Sequence, residues 1–242
     1  PTPSTLFFLM SDYSRTGRVG SLDMVTKILT NMARGGIFDQ LGGGFHRYST
    51  DSSWIVPHFE KMLYDNALLP LVFLEAWQAT KNPLFANTAE QTLDWALREM
   101  RDSNGGFYSA QDAESEGNEG SYYVWTRDEV VRILGQTDAE IFSRRYGVTE
   151  KGNFERENNI LHIEKEPSQI ARDLNILEDD VTNALKLANS ALLKHRKSRI
   201  RPSIDDKVLT AWNGMMISAL AKGYQIFEHE HYLKAAEASA DF

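Results

Sequence analysis

Apolar residues recur at spacings of three and four along most of the chain, as in Met24, Ile28, Leu29 and Met32 or in Leu93, Trp95, Ala96, Leu97 and Met100. That period lines one face of an α-helix. It predicts helices over 4–13, 21–34, 59–80, 84–101, 127–134, 139–146, 168–174, 179–196, 209–227 and 232–242. Two starts carry a capping-box pattern, TRDE at Thr126–Glu129 and TDAE at Thr137–Glu140, in which a hydroxyl and a carboxylate three residues on satisfy the free N–H groups of the first turn. Pro70 falls inside the third helix, where the missing N–H and the ring clash predict a kink or break.

Between the helices, short turns alternate with long glycine-bearing segments. GGFHRYS at Gly43–Ser49 is echoed by GGFYSAQDAES at Gly105–Ser115, each behind a pair of predicted helices. Self-similarity of this kind points to a repeat of helical hairpins. The paired glycines fit tight turns or close backbone approach, with a helix C-cap as the simpler reading. GGFYSAQDA and GSYYVWT (Gly120–Thr126), flanking an acidic loop, have the aromatic and β-branched content of a small β-hairpin.

At 242 residues and 42% hydrophobic content, the chain is long enough for a substantial core and is expected to form one globular domain over 1–242. Its net charge of −8 and pI near 5.3 argue against a nucleic-acid partner, which requires clustered cations. The one dense basic run, KHRKSRIR from Lys194 to Arg201, falls at a predicted helix end, where cations complement the helix dipole. The chain has no cysteine, which rules out a disulfide framework or a thiol nucleophile within it, fits a reducing compartment and leads to the expectation of a cytoplasmic protein. No apolar run approaches the roughly 20 residues that span a bilayer, so no membrane partner is expected. The last helix pattern, HYLKAAEASADF, stops without a cap, so the protein is expected to continue.

Candidate chemistry gathers in three places. The stretch from Gly42 to Asn66 holds His46, Arg47, Tyr48, Asp51, Trp54, His58, Glu60, Lys61, Tyr64, Asp65 and Asn66. Histidine exchanges protons near neutrality, and a neighbouring carboxylate can fix its tautomer. His46 and His58 are therefore candidate acid/base residues and Glu60 a catalytic partner; a helix-capping or loop-bonding role is the alternative for each histidine. A second cluster holds Tyr108, Asp112 and Glu114, and a third holds Asp205, Asp206 and Lys207 followed by Trp212 and Asn213. Carboxylates on separate loops, with Asp112 as the catalytic candidate, suit a glycosidase pair, whose members work about 5–10 Å apart; N-capping is the alternative for Asp205 and Asp206. The tryptophans and tyrosines offer flat apolar faces to sugar rings, or simply core. No HExxH, EF-hand loop, P-loop or dinucleotide fingerprint occurs, so neither a metal nor another cofactor is expected, and His229 and His231 read as exposed residues at a helix junction.

The motifs GGIFDQLGGGFHRYSTDSSWIVPHFEKMLYDNALL, GGFYSAQDAES, YYVWT and RPSIDDKVLTAWNGMMISAL resemble, in order and over nearly the whole chain, the thioredoxin-fused family that includes the spermatogenesis-associated thioredoxin-domain proteins. The resemblance implies an all-α fold, part of an (α/α)6 toroid of the six-hairpin glycosidase type, similar to N-acylglucosamine 2-epimerase-like proteins, with small β-hairpins in the loops at its mouth. The resemblance implies that the family's N-terminal thioredoxin-like domain and its later hairpins lie outside this stretch of sequence. The chain is then expected to cover the first half to two thirds of the barrel, to expose helix faces and to associate with itself through them. Three functions follow: a carbohydrate-active site of sugar epimerase or isomerase type with a small sugar as ligand, a non-catalytic binding or scaffold module for the thioredoxin-like domain, and a glycoside hydrolase with paired carboxylates. A histidine base predicts activity that falls below about pH 6, whereas a carboxylate pair tolerates acid.

Overall fold

The computed structural model describes residues 2–242. Ten α-helices are present among them: α1 (Pro3–Thr16), α2 (Val19–Arg34), α3 (Leu63–Thr80), α4 (Pro83–Trp95), α5 (Arg127–Leu134), α6 (Gln136–Tyr146), α7 (Pro167–Leu174), α8 (Glu178–Arg196), α9 (Thr210–Phe227) and α10 (Glu230–Asp241). Each covers one of the segments predicted from apolar spacing. Seven two-residue strands sit in the connections: β1 (Tyr48–Ser49), β2 (Pro57–His58), β3 (Lys61–Met62), β4 (Ala110–Gln111), β5 (Glu114–Ser115), β6 (Asn118–Glu119) and β7 (Ile204–Asp205).

Three antiparallel hairpins, α1/α2, α3/α4 and α9/α10, stand side by side. In each the first helix faces its counterparts, α3 packing against both α1 and α9, while the second lies outside. α3 occupies the middle, and its composition suits the place, because Leu63, Ala67, Leu69, Val72, Phe73, Leu74 and Ala76 are buried around its whole circumference. A helix that is apolar all round is an interior helix. Packing on several sides also explains why α3 runs through Pro70 as one element instead of breaking there; tertiary contacts outweigh the loss of one backbone hydrogen bond. α2, at the periphery, buries a single stripe of Val25, Leu29, Met32 and Ala33, and Met24, which its spacing put on that stripe, is 59% exposed.

Between α4 and α9 the chain builds a separate lobe, α5 to α8, with a core of its own around Trp125, Phe142, Tyr146, Ile170, Val181 and Leu192. Thr126 caps α5 as expected, its Oγ1 accepting from the Glu129 N–H at 3.2 Å. The second capping box does not form: α6 begins at Gln136 behind Gly135, so Thr137 already lies in the helix. The β-hairpin also differs from expectation. β5 and β6 pair inside the acidic loop itself, whereas the flanking aromatics Tyr122, Tyr123 and Trp125 are buried as core. β4 instead joins β3 and β7 in an antiparallel sheet of order β3-β4-β7, so residues 61, 110 and 205 lie on adjacent strands.

Candidate functional site at the N-terminal ends of α3 and α9

The three inward helices run in the same sense, and their N-terminal ends share one end of the molecule with the sheet and the long loops. The loops reach that end by a device that occurs twice. Gly43 and Gly105 both adopt positive φ, 75° and 118°, and a Cβ on either would lie 2.3 Å from the Gln91 carbonyl of α4 or 2.5 Å from the Ala238 carbonyl of α10. Each loop therefore rests against the outer helix of the following hairpin. Two residues on, the Phe45 N–H donates to Asn66 Oδ1 at 2.6 Å and the Asn66 amide donates to the Phe45 and Met62 carbonyls, both at 2.9 Å. Phe107 and Asn213 repeat the pattern at 2.7 Å and 3.0 Å, with the Leu209 carbonyl at 3.1 Å. Asn66 and Asn213, expected to bind substrate, are 0% and 6% exposed and hold loops in place.

On this scaffold β1 and β2 bring Tyr48 and His58 together, their rings stacked at 4.9 Å. His58 Nδ1 lies 2.7 Å from Glu119 Oε1 on β6, which also accepts from the Phe59 N–H at 3.1 Å. Glu119 thus fixes the imidazole plane and favours the tautomer protonated at Nδ1. His58 Nε2 has Glu60 Oε2 at 3.7 Å and no hydrogen bond to a described residue. Glu60 is held in turn by Arg47 at 2.8 Å. The first turns of α3 and α9 add Tyr64 and Trp212, packed edge to face at 4.9 Å, and Asp65. Asp65 is 3% exposed, its Oδ2 meets no hydrogen-bond donor among the described residues, and burial pushes its pKa up to about 7, against lowering influences that include Arg47 and the Tyr64 hydroxyl. Desolvation of the ionised carboxyl outweighs those influences.

The structure therefore brings Arg47, Tyr48, His58, Glu60, Tyr64, Asp65 and Trp212 to one end of the fold, and adds Glu119, which the sequence reading did not single out. Asp112, Asp205, Asp206 and Lys207 lie exposed along the adjoining sheet: Asp112 accepts from Ser203 Oγ at 3.1 Å and Asp205 pairs with Lys207 at 2.7 Å. Tyr108 is turned to Asp102, its hydroxyl donating at 3.0 Å, and Glu114 is exposed on the β5–β6 hairpin.

Two expectations need correction. His46 does not face an opening across from His58: it is 1% exposed, its Nδ1 bonded to the Phe59 carbonyl at 2.8 Å and its ring packed by Phe59 and Tyr123. Burial, helped by the Lys61 charge, pushes its pKa down to about 3. Trp54 packs against the α1–α4 core, and its carbonyl accepts from the Ile37 N–H at 3.1 Å. Its aromatic character belongs to that core.

Beneath the site lies an ion cluster whose grouping, and whose carboxylate Asp39, the sequence reading did not single out. Arg196, at the end of α8, grips Asp39 with two bonds of 2.8 and 2.9 Å, and Lys61 Nζ reaches the same carboxylate at 3.0 Å and the Gly43 carbonyl at 2.8 Å. All three residues are buried. Burial alone would raise the Asp39 pKa, but Arg196 and Lys61 outweigh it and hold the carboxyl well below its usual range; burial draws Lys61 down to about 8, against the pull of Asp39. Lys61 Nζ also stands 4.9 Å from the Trp95 ring and Arg196 5.2 Å from the Tyr122 ring. The basic run Lys194–Arg201 therefore supplies more than a helix end. Arg196 buries in this cluster, and Arg199 pairs with Glu129 at 2.8 Å while lying 3.9 Å over Trp125.

A cavity of about 660 Å³ lies elsewhere: Phe7, Met10, Ser14, Glu75 and Gln78 line it near the C-terminal ends of α1 and α3, about 20 Å along α3 from Tyr64. Among the described residues no group of three or more metal-ligating side chains is poised to hold an ion, and no helix is long and apolar enough to cross a membrane.

No family model matches the chain. Along its entire length it is similar to human spermatogenesis-associated protein 20, with 35% identity over 270 residues. The chain spans 34% of that protein, about a third of the length of the curated relatives it matches. Among solved structures it is similar to a family 76 glycoside hydrolase from a bovine Bacteroides thetaiotaomicron strain, with a TM-score of 0.56 and 12% identity, over 98% of this chain and 33% of that one. It is likewise similar to a family 76 glycoside hydrolase, a mannosidase, from Bacteroides thetaiotaomicron VPI-5482, with a TM-score of 0.54 and 12% identity, over 98% of this chain and 41% of the other. The fold is part of an (α/α) toroid, and the three hairpins are consecutive members of its ring.

Proposed function

We propose that this chain, a relative of spermatogenesis-associated protein 20 along its whole length, forms a sugar-binding toroid mouth in which His58 transfers a proton, as in an aldose–ketose isomerase. The observation that carries the reading is the His58 imidazole, bonded to Glu119 at 2.7 Å with Nε2 left without a hydrogen bond, beside Arg47–Glu60 and the Tyr64–Trp212 pair. The two toroid neighbours named as glycoside hydrolases lend support to a carbohydrate ligand. In such a site a neutral His58 takes the proton from the carbon next to an open-chain sugar's carbonyl, the C–H electron pair forms the enediolate, the hydroxyl proton on that carbon passes to the former carbonyl oxygen, and Nε2 returns its proton to the neighbouring carbon as the new carbonyl forms. The aromatic side chains pack the apolar C–H faces of the sugar, and Arg47 meets the developing oxyanion.

With His46 enclosed in the interior, one histidine remains at the mouth. A single base moves a proton between adjacent carbons on one face, which is isomerisation; epimerisation would need a second group on the opposite face. A hydrolase is the second reading, favoured by the β4–β7 pairing, which brings Asp112, the residue after β4, beside the segment that carries Asp205. The first test is thermal shift and NMR titration with a panel of mono- and disaccharides against wild type and His58→Ala. A sugar that stabilises wild type and leaves the variant unmoved supports the reading, while a flat response to every sugar sinks it. Where turnover is found, the acid limb of its pH profile separates histidine from carboxylate chemistry.

A further inference from the structure

We infer that the α5–α8 lobe supplies a second sugar subsite beside His58, so that the ligand is a disaccharide or a longer chain with its reducing unit at the imidazole. The inference rests on the sugar-binding role proposed for His58.

A cavity of about 240 Å³ lies where the β5–β6 hairpin meets the loop between α6 and α7. Asn118 and Glu119 line it from the hairpin, and Phe154, Glu155, Arg156 and Asn158 line it from the loop. Glu119 is the carboxylate that holds His58 Nδ1 at 2.7 Å. One side chain thus borders both the imidazole and the cavity, and adjoining units of a single sugar chain can occupy the two places. Pockets for drug-sized ligands run to about 300–1,000 Å³, so this one has room for a single ring.

The loop is tied into a fixed shape. The Asn153 and Phe154 N–H groups both donate to the Asn158 carbonyl, at 3.1 and 2.9 Å. Arg156 and Glu157 adopt positive φ, 55° and 61°, a conformation that is unfavourable for residues with a Cβ and that clusters at ligand sites. Phe154 packs edge to face on Phe59, the neighbour of His58, at 5.8 Å.

The lining suits an uncharged sugar. Phe154 offers an apolar surface to C–H groups. The Arg156 guanidinium and the Glu155 carboxylate line the cavity without an ion pair or hydrogen bond to a described residue. Asn118 and Asn158 each give an amide N–H to one backbone carbonyl, at 3.1 and 3.0 Å, and their amide oxygens have no described partner. Donors and acceptors mixed around an aromatic ring match hydroxyls, which both give and take hydrogen bonds. Glu119 and Glu155 outweigh the one cation, Arg156, so a phosphate or a uronate is disfavoured.

The test titrates the full chain by calorimetry or NMR with glucose, maltose, cellobiose, mannose, mannobiose and glucose 6-phosphate, in wild type, Phe154→Leu and Arg156→Ala. Leucine keeps an apolar side chain and removes the ring; Arg156 is exposed, so its truncation leaves the core in place. Expected are an affinity for a disaccharide about tenfold above that for its monosaccharide, and loss of that gain in either variant with monosaccharide binding retained. Equal affinity for monosaccharides and disaccharides, or a gain that survives in both variants, overturns the second subsite while leaving the reading of His58 intact. Binding of glucose 6-phosphate tighter than glucose that is lost in Arg156→Ala assigns the cavity to an anion and overturns it too. Saturable binding of none of these sugars removes the carbohydrate reading, and this inference with it.

Discussion

Single side chains at this mouth are set by what surrounds them more than by what they are. His46 and His58 lie twelve residues apart in the same glycine-rich segment, yet one is locked in the interior with its pKa at about 3 and the other presents a free Nε2 between two carboxylates. Asp65 shows the same control in stability. Its carboxyl holds a proton up to about pH 7 in the folded chain but only to about pH 4 when unfolded. Between those values the folded state binds the extra proton, so stability falls as pH rises through the window and stays lower above it. Asp65→Asn is therefore expected to raise the melting temperature at pH 8, by at most about 4 kcal/mol in free energy for a shift of three units, and to bring no gain near pH 4. An equal effect at both pH values would show that ionised Asp65 carries no such penalty. The sequence named most of these residues as candidates. It could not separate mouth from interior, because histidine and aspartate look alike in a string whatever their burial.

Elements were far more legible. All ten helices fell where apolar residues recur at three and four, because every helix here must bury one face and the period records that need. The misses were local. The Pro70 break failed to appear because α3 is packed on all sides, and the second capping box gave way to a start at Gln136. The repeat of GGF loops was visible, but the asparagine that anchors each was not. Phe45 and Asn66 are 21 residues apart, whereas Phe107 and Asn213 are separated by 106, with the α5–α8 lobe between them. Asn66→Ala and Asn213→Ala are each expected to lower unfolding free energy in urea by about 2–4 kcal/mol, since each strands a buried Phe N–H and carbonyl. A loss below about 0.5 kcal/mol in either would mean that the loop seats itself by other contacts.

For the whole molecule, the Asp39–Lys61–Arg196 cluster decides how the parts join. It ties the loop after α2, the strand leading into α3 and the far end of α8, so the lobe is fastened to the hairpins directly beneath the mouth. Two cations share one carboxylate. Asp39→Asn leaves both buried without a counter-charge, and Arg196→Met leaves a matched Asp39–Lys61 pair. Both variants are expected to be destabilised, the first by about 3–5 kcal/mol and more than the second, in equilibrium denaturation. The reverse order would show that Arg196 contributes mainly through its packing on Tyr122 and Tyr123. Arg196→Lys is not expected to restore wild-type stability, because an ammonium cannot make the paired bonds of a guanidinium.

The sequence by itself determined the helices, the hairpin repeat and the family likeness, all of which depend on local periodicity and on short runs of residues contiguous in the chain. Tertiary structure decided what those residues do. It alone set Glu119 against His58 across 61 residues and Arg196 against Asp39 across 157, closed His46 into the core, and left Asp65 Oδ2 without a donor among the described residues. Burial and long-range pairing determine whether a polar side chain is a strut, a proton carrier or an unfilled contact. Both arise only when segments distant in the chain are brought together.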